Sequence, residues 1–182
     1  MSSTSAPFGL RPVYSPSGVV RPTAYSIDPT DAATIYQNQP VKLNDGNLEA
    51  AGVGDRFIGT FQGVEWTDSD GRYRVSNKWS AQSGASNITA YTTLDPTIVY
   101  EIQSNAAMTA ADIGGQYDFT AASGNATTGL SSQMLDVSSL ANNASFRVIG
   151  ITPSATNAWG DTYVIVQVQI SEHQNVADVA DY

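Results

Sequence analysis

The segment Thr162-Tyr-Val-Ile-Val-Gln-Val-Gln-Ile170 decides the fold class. Apolar residues occupy every second position of this segment and share one face of an extended chain, whereas two glutamines lie on the other face. The apolar face consists of Val164, Val166, Val168 and Ile170. A two-residue period of β-branched side chains is typical of a strand that buries one face and exposes the other.

Further strand patterns follow the same logic along the chain. They cover residues 35–43, 56–66, 73–79, 87–93, 97–103 and 145–151. Asn44-Asp-Gly46 and Ser69-Asp-Gly71 are hairpin turn signals between neighbouring strand candidates. Helical patterns are confined to short stretches at 109–114 and 135–141. The sequence therefore predicts an all-β domain with minor helix, arranged as a barrel or a sandwich.

Composition narrows the class of protein. The chain has 182 residues, enough for one domain with a sizeable core, and no cysteine, so disulfides and thiolate metal sites are excluded. Its 17 acidic and 8 basic residues give a net charge of −9, which disfavours binding to nucleic-acid phosphates. No run approaches the roughly 20 apolar residues of a membrane span, and the N-terminus lacks a signal-peptide pattern. We expect synthesis in a cytoplasm and no membrane association.

Residues 5–22 differ from the rest of the chain. Their four prolines interrupt a helix and disfavour a central strand, yet the segment keeps apolar side chains that disordered tails lack. We predict an extended N-terminal arm at 1–23, a single β-rich domain at 24–172 and a C-terminal tail at 173–182. The expected anchors of the arm are Phe8, Leu10, Val13 and Tyr14, with Arg11 as a polar clamp. The surface beneath the arm is either its own domain or a neighbouring subunit.

Two other sets of side chains are candidates for an interface. Arg72, Arg74 and Lys78 share one face if residues 72–79 form a strand. That face is either a solvated edge that discourages stray pairing or a docking patch for an acidic neighbour. Trp159 lies in a turn-like context, which favours an exposed or intersubunit position, whereas Trp66 and Trp79 are expected in the core.

Residues that carry chemistry are sparse. His173 is the single histidine, and we interpret it as an exposed structural residue because no nucleophile or multi-histidine ligand set accompanies it. Asp68-Ser-Asp-Gly-Arg72 resembles a calcium loop only at its start, so a hairpin turn is the better interpretation. The sequence predicts no catalytic residue, no cofactor site and no metal site, and we expect that the protein is not an enzyme.

Several short motifs, taken in order, resemble the head structural proteins of tailed bacteriophages that act as capsid decoration or cement proteins. The motifs span residues 6–174. They are Ala6-Pro-Phe-Gly-Leu-Arg-Pro-Val13, Gly54-Asp-Arg-Phe-Ile-Gly59, Asp95-Pro96 with Val99-Tyr-Glu-Ile-Gln103, Ala110-Ala-Asp-Ile-Gly114, Thr128-Gly-Leu-Ser131, Phe146-Arg-Val-Ile-Gly150 and Glu172-His-Gln174.

This resemblance implies a β-barrel or β-tulip-like body, a homotrimer, and binding to the major capsid protein on the outer surface of the virion. It brings no catalytic residues. We expect that a chain without residues 1–22 keeps a folded body but loses capsid binding. The alternatives are a head–tail connector or tail component and, in a different class, a glycan-binding or glycan-cleaving β-fold protein. An exposed aromatic platform that includes Trp159 would favour glycan binding, and two carboxylates about 5–10 Å apart would favour cleavage.

Overall fold

The computed structural model describes residues 4–31 and 33–176, so the ends of the predicted arm (1–3) and tail (177–182) lie outside the described residues. The predicted all-β class is confirmed. The strands are β1 Arg11–Tyr14, β2 Pro22–Tyr25, β3 Ile35–Tyr36, β4 Pro40–Asn44, β5 Asn47–Ala50, β6 Gly59–Thr67, β7 Tyr73–Ser76, β8 Lys78–Trp79, β9 Ser86–Thr93, β10 Val99–Gln103, β11 Gln116–Tyr117, β12 Phe146–Ile151 and β13 Ile165–Ile170. The helical stretches are single 3₁₀ turns at Ala110–Asp112 and Val137–Ser139.

The first sheet has the strand order β1-β10-β13-β12-β11, and its neighbouring strands are antiparallel. The alternation predicted for residues 162–170 is confirmed in β13, where Val166, Val168 and Ile170 are buried and the residues between them are half-buried. The strand β10, which lies between the edge strand β1 and β13, differs, because all five of its residues are buried. A strand buried on both faces needs a partner for every polar side chain that it carries.

The second sheet has the order β2-β9-β6-β4-β5, and β7 extends it by pairing with β6. Both predicted hairpin turns are present, since β4 pairs with β5 and β6 pairs with β7. Two predicted strands are broken. The stretch 35–43 divides into β3 and β4 around Asn38, whose φ is 63°, and the stretch 73–79 divides into β7 and β8. The pair β3–β8 forms a separate small sheet.

No closed barrel is found among the strands that the structure describes, because β1 and β11 remain the edges of the first sheet. An irregular segment at residues 133–136 nevertheless connects its two sides. Leu135 N donates to Gln103 O (2.9 Å), at the end of β10, and Thr120 N donates to Met134 O (2.8 Å), just after β11. The first sheet therefore curves around its core and is bridged by a segment that carries no strand pattern.

Each sheet has its own hydrophobic core. In the first core, Phe57 makes edge contacts with Phe119 and Phe146 at centroid distances of 5.9 and 5.4 Å. In the second core, Trp66 and Trp79 pack at right angles at 5.6 Å, which confirms the core positions expected for both. Edge contacts of this kind add about 0.5–1.5 kcal/mol to the burial of the rings.

The described residues of the predicted arm at 1–23 lie against the predicted domain at 24–172. Leu10 has no exposed surface and is a member of the first core. The strand β1 pairs with β10 in the first sheet, and β2, which crosses the predicted boundary, pairs with β9 in the second. Because β1 is an edge strand, Pro12 is tolerated within it. The segment is extended, and it lies against its own chain.

The structure explains why glycine occupies two positions of the sequence motifs at 6–13 and 54–59. Gly9 adopts a φ of 74°, and a Cβ there would lie 2.5 Å from the carbonyl oxygen of Asn38. Gly59 adopts a φ of 157°, and a Cβ there would lie 1.9 Å from the carbonyl oxygen of Thr93. Both positions combine a backbone conformation that favours glycine with a backbone contact that leaves no room for a side chain.

Truncation of Leu10 tests its place in the core. Because its side chain is wholly buried, Leu10→Ala should lower the free energy of unfolding by about 2–5 kcal/mol in chemical denaturation. Val13→Ala is the matched control, since Val13 lies on the same short segment but is 42% exposed. It should cost less than about 1 kcal/mol. An equal effect of the two substitutions would show that Leu10 does not occupy the core.

Removing residues 1–22 should likewise unfold or strongly destabilise the body. This replaces the expectation that a truncated chain keeps its fold, because the deletion removes β1, Leu10 and the start of β2.

Candidate functional site

The N-terminal segment, defined here as residues 4–25, is the candidate functional site. Its inner side satisfies the buried polar groups of β10. Glu101 is 7% exposed, and its Oε2 accepts a hydrogen bond from Arg11 Nη2 at 2.5 Å. Gln103 is 3% exposed; its Oε1 accepts from Ala6 N at 2.8 Å, and its Nε2 donates to Thr4 O at 3.1 Å. The segment therefore supplies partners to both polar side chains that face this edge of β10.

Arg11 acts as a clamp in the sense predicted, although within its own chain. Its guanidinium carbon lies 4.7 Å from the centroid of the half-buried Phe8 ring while the same group binds Glu101. A cation over an aromatic face adds about 0.5–1 kcal/mol at an exposed site. The Arg11 side chain is 54% exposed, so solvent weakens the pair, but the carboxylate that it neutralises is buried.

The chain between β1 and β2 is fixed by hydrogen bonds to the connection between β9 and β10. Ser15 is buried, and its hydroxyl donates to Asp95 Oδ2 at 2.9 Å. The Thr97 hydroxyl and backbone N–H both donate to Asp95 Oδ1, at 2.6 and 2.8 Å. These donors, Thr97 foremost, hold the pKa of Asp95 below its usual value despite the opposing effect of burial.

The N-terminal segment carries three exposed apolar side chains, which we name the N-terminal patch. They are Val13 at 42%, Tyr14 at 46% and Val19 at 56% exposure. Val19 also lines an open groove of about 650 Å³ together with Arg21, Leu94 and Pro96. The backbone at Val13 and Tyr14 is held by the pairing of β1 with β10, and the Ser15–Asp95 contact holds the chain that follows.

The predicted anchors of the segment thus have different positions. Leu10 is buried in the core of its own chain and is not available to a neighbour, and Phe8 is half-buried beneath Arg11. Val13 and Tyr14 are exposed, as a docking role requires. Val19 was not among the predicted anchors. Val19 lies between Gly18 and Val20, where apolar and polar residues do not alternate, so the sequence contained no signal for its exposure.

The basic residues predicted to share a strand face are divided in the structure. Arg74 lies on β7 and its Nε donates to Asp68 Oδ2 at 2.9 Å. Lys78 lies on β8, in a different sheet, and its Nζ donates to Ala126 O at 2.7 Å. Arg72 precedes β7 and is exposed. No single strand face joins the three residues, because the predicted strand ends at Ser76.

The carboxylate of Asp68 accepts the hydrogen bonds that stabilise the turn resembling a calcium loop. Its Oδ1 accepts from the backbone N–H groups of Asp70 and Arg72, and its Oδ2 accepts from Arg74. The carboxylate thus stabilises the β6–β7 hairpin, and these donors keep its pKa low, the backbone N–H of Arg72 being the largest cause. Among the described residues, no group of three or more potential metal ligands is found.

Trp159 and His173 are both more buried than predicted. Trp159 is half-buried and packs against the first core, so it is less exposed than expected, and its intersubunit position stays a prediction. His173 is 3% exposed, so its interpretation as an exposed histidine is wrong. It lies where the chain leaves β13 and crosses to the second sheet, and burial there lowers its pKa. No helix in the described ranges is long and apolar enough to cross a membrane.

The outer face of the second sheet carries a cluster that the sequence did not reveal. Glu65 on β6 lies opposite Val75 on β7, and Thr67 lies opposite Tyr73. Tyr73 donates its hydroxyl to Glu65 Oε2 at 2.5 Å, and Tyr91 on β9 donates to Glu65 Oε1 at 3.0 Å. These hydrogen bonds raise the pKa of both tyrosines. Tyr73 is 66% exposed and Val75 is 69% exposed, so the face is solvated and partly apolar.

Similarity to known proteins does not identify the chain. Comparison with protein-family models, with curated proteins and with solved structures finds no match.

Proposed function

We propose that the chain is a structural protein of a tailed-bacteriophage particle, a capsid cement protein that binds the major capsid protein through the N-terminal patch. The observation that carries this proposal is that Val13, Tyr14 and Val19 are exposed on a segment whose backbone is fixed to its own body. The resemblance of the motifs to capsid decoration proteins supports the same conclusion.

A fixed patch suits a cement role for an energetic reason. Binding by a loose arm must order its backbone, which costs about 1–2 kcal/mol per residue. In this chain the ordering occurs during folding, because Leu10 is buried and Arg11 is paired with Glu101. More of the free energy of burying the patch therefore remains for association.

The assembly state multiplies the effect of a small patch. Three apolar side chains form a modest contact, and one copy would bind weakly. A homotrimer presents the patch three times at fixed spacing, so the second and third contacts form at high effective concentration. We propose this trimeric state, with the chain on the outer surface of the capsid, where its net charge of −9 is not held against packaged nucleic acid.

A head–tail connector or tail component is the alternative within the same class. It would occupy one vertex in six or twelve copies, whereas a cement protein is present in hundreds of copies per particle. Counting copies in purified particles separates the two roles. The N-terminal patch fits either partner, and the motif order favours the cement role.

Polar substitution of the patch tests the proposed docking surface. Val13→Ser, Tyr14→Ser and Val19→Ser together should weaken co-sedimentation with capsid shells that lack the protein by at least about tenfold, since avidity amplifies each lost contact. Unfolding should change little, because the three side chains are exposed.

The matched control replaces exposed apolar side chains elsewhere on the surface. Val53, Ile113 and Leu140 are 54%, 50% and 62% exposed. Their combined change to serine should leave capsid binding intact. Equal loss of binding in both triple variants, or unchanged binding in the patch variant, would contradict the proposed surface.

Glycan binding is a second candidate function, for which we propose the face around the exposed Tyr73 in place of the half-buried Trp159. Exposed aromatic rings beside a carboxylate are a common combination in sugar recognition, because the rings stack on apolar sugar faces and the carboxylate accepts hydroxyl hydrogens. Tyr73, Tyr91 and Glu65 provide this combination on one sheet face.

Loss of the exposed ring tests this second function. If the face binds glycans, Tyr73→Ala should abolish retention on immobilised cell-surface polysaccharide, whereas Ile113→Ala should not. If neither the wild-type chain nor the Ile113→Ala variant is retained, this face does not bind glycans.

A further inference from the structure

The chain after β13 forms a short connection between the two sheets, which we name the C-terminal clip and define as residues 172–176. Phe57 N donates to Glu172 O at 3.4 Å, and Gln174 N donates to Phe57 O at 3.1 Å, so the clip lies parallel to the chain before β6. The Gln174 side chain binds both backbone groups of Leu43, accepting from its N–H at 2.8 Å and donating to its carbonyl at 3.1 Å.

His173 is the central residue of the clip. Its Nδ1 accepts a hydrogen bond from Asn175 N at 3.1 Å, so in the neutral ring the hydrogen resides on Nε2. Nε2–H accordingly donates to Leu94 O at 3.1 Å, at the end of β9. The neutral ring therefore satisfies one donor of the clip and one acceptor of the second sheet, and it does so at a site that is 3% exposed.

A proton on His173 is incompatible with this arrangement. Imidazolium carries hydrogen on both nitrogens, so Nδ1 can no longer accept from Asn175 N, and two N–H groups then face each other. The charge would also be buried. Both effects favour a conformation in which the ring reaches water.

The groups around the ring determine how strongly protonation is resisted. Burial is the largest influence and lowers the pKa of His173 below its usual 6.5. Three influences oppose it: the backbone at Ile58, the carbonyl of Leu94, and the charge of Asp95 on the β9–β10 connection. Arg56 and Glu172 are the charged residues next to the bridged pair Phe57 and His173 in the chain. Asp95 is held by Ser15 and Thr97, so its carboxylate does not move to pair with the ring.

We propose that the C-terminal clip is an acid-sensitive latch that opens locally when His173 takes up a proton, while both sheets remain folded. Opening withdraws Asn175 from the groove that it lines with Val19 and Leu94. The latch therefore couples mild acid to the shape of the surface beside the N-terminal patch. This inference does not depend on the proposed capsid role.

The pH window follows from the direction of the pKa shift. A histidine with a lowered pKa in the closed clip stabilises that state fully above about pH 6.5, the value in the open chain. The stabilisation is lost as the pH falls from there towards the closed-state value, by up to about tenfold in the opening equilibrium per pH unit. The carboxylates with lowered pKa values titrate below about pH 4 and do not contribute in this window.

Amide hydrogen exchange tests the latch on the intact chain. Between about pH 7.5 and about pH 5.5, the protection factor of Asn175 N–H, corrected for intrinsic exchange, should fall, by up to about tenfold. Protection at Val168 in β13 should not change, because the sheet stays closed. Unchanged protection at Asn175, or a parallel loss at Val168, would overturn a local latch.

A variant and a second probe assign the effect to the ring. His173→Gln keeps a donor for Leu94 O and cannot titrate, so protection at Asn175 should become independent of pH. If this variant does not fold, NMR titration of the His173 ring in the wild-type chain replaces it. The ring should titrate with the same midpoint as the loss of protection, and differing midpoints would overturn the proposal.

Discussion

The buried strand β10 is the constraint on which the rest of the structure depends. All five of its residues are buried, including Glu101 and Gln103, and each of these polar side chains would destabilise the fold without a partner. The N-terminal segment supplies these partners through Arg11 and the backbone of Thr4 and Ala6. Leu10 then completes the core behind the strand. We therefore expect that the first sheet does not fold stably without the N-terminal segment.

The same constraint produces the surface to which we assign function. Pairing of β1 with β10 accompanies the burial of Leu10 in the first core and the contact of Arg11 with Glu101, and it leaves β1 at the edge of the sheet. Val13 and Tyr14 on this edge strand are exposed, and Val19 is exposed where the segment crosses to the second sheet. An interface built in this way loses little entropy on binding. It also ties the proposed capsid binding to correct folding, since an unfolded chain does not present the patch.

The sequence predicted the strands whose apolar and polar side chains alternate. It did not predict the strands and buried side chains whose positions depend on residues distant in the chain. In β13 the period of two was sufficient, because one face is buried and the other is half-buried. In β1 there was no such period, and Pro12 argued against a strand although an edge position tolerates it. The buried His173 contacts Leu94, 79 positions away in the chain, and Tyr73 contacts Glu65 on the neighbouring strand. No local pattern encodes either contact.

The central claim is that residues 4–25 complete the core of their own chain. Isotope-filtered NMR tests it most directly, on an equal mixture of labelled and unlabelled chains that are unfolded and refolded together. We predict contacts between the Leu10 methyl groups and the buried aromatic rings of the first core only within a labelled chain. Contacts of comparable intensity between labelled and unlabelled chains would show that the segment completes a neighbouring subunit, and they would contradict this account.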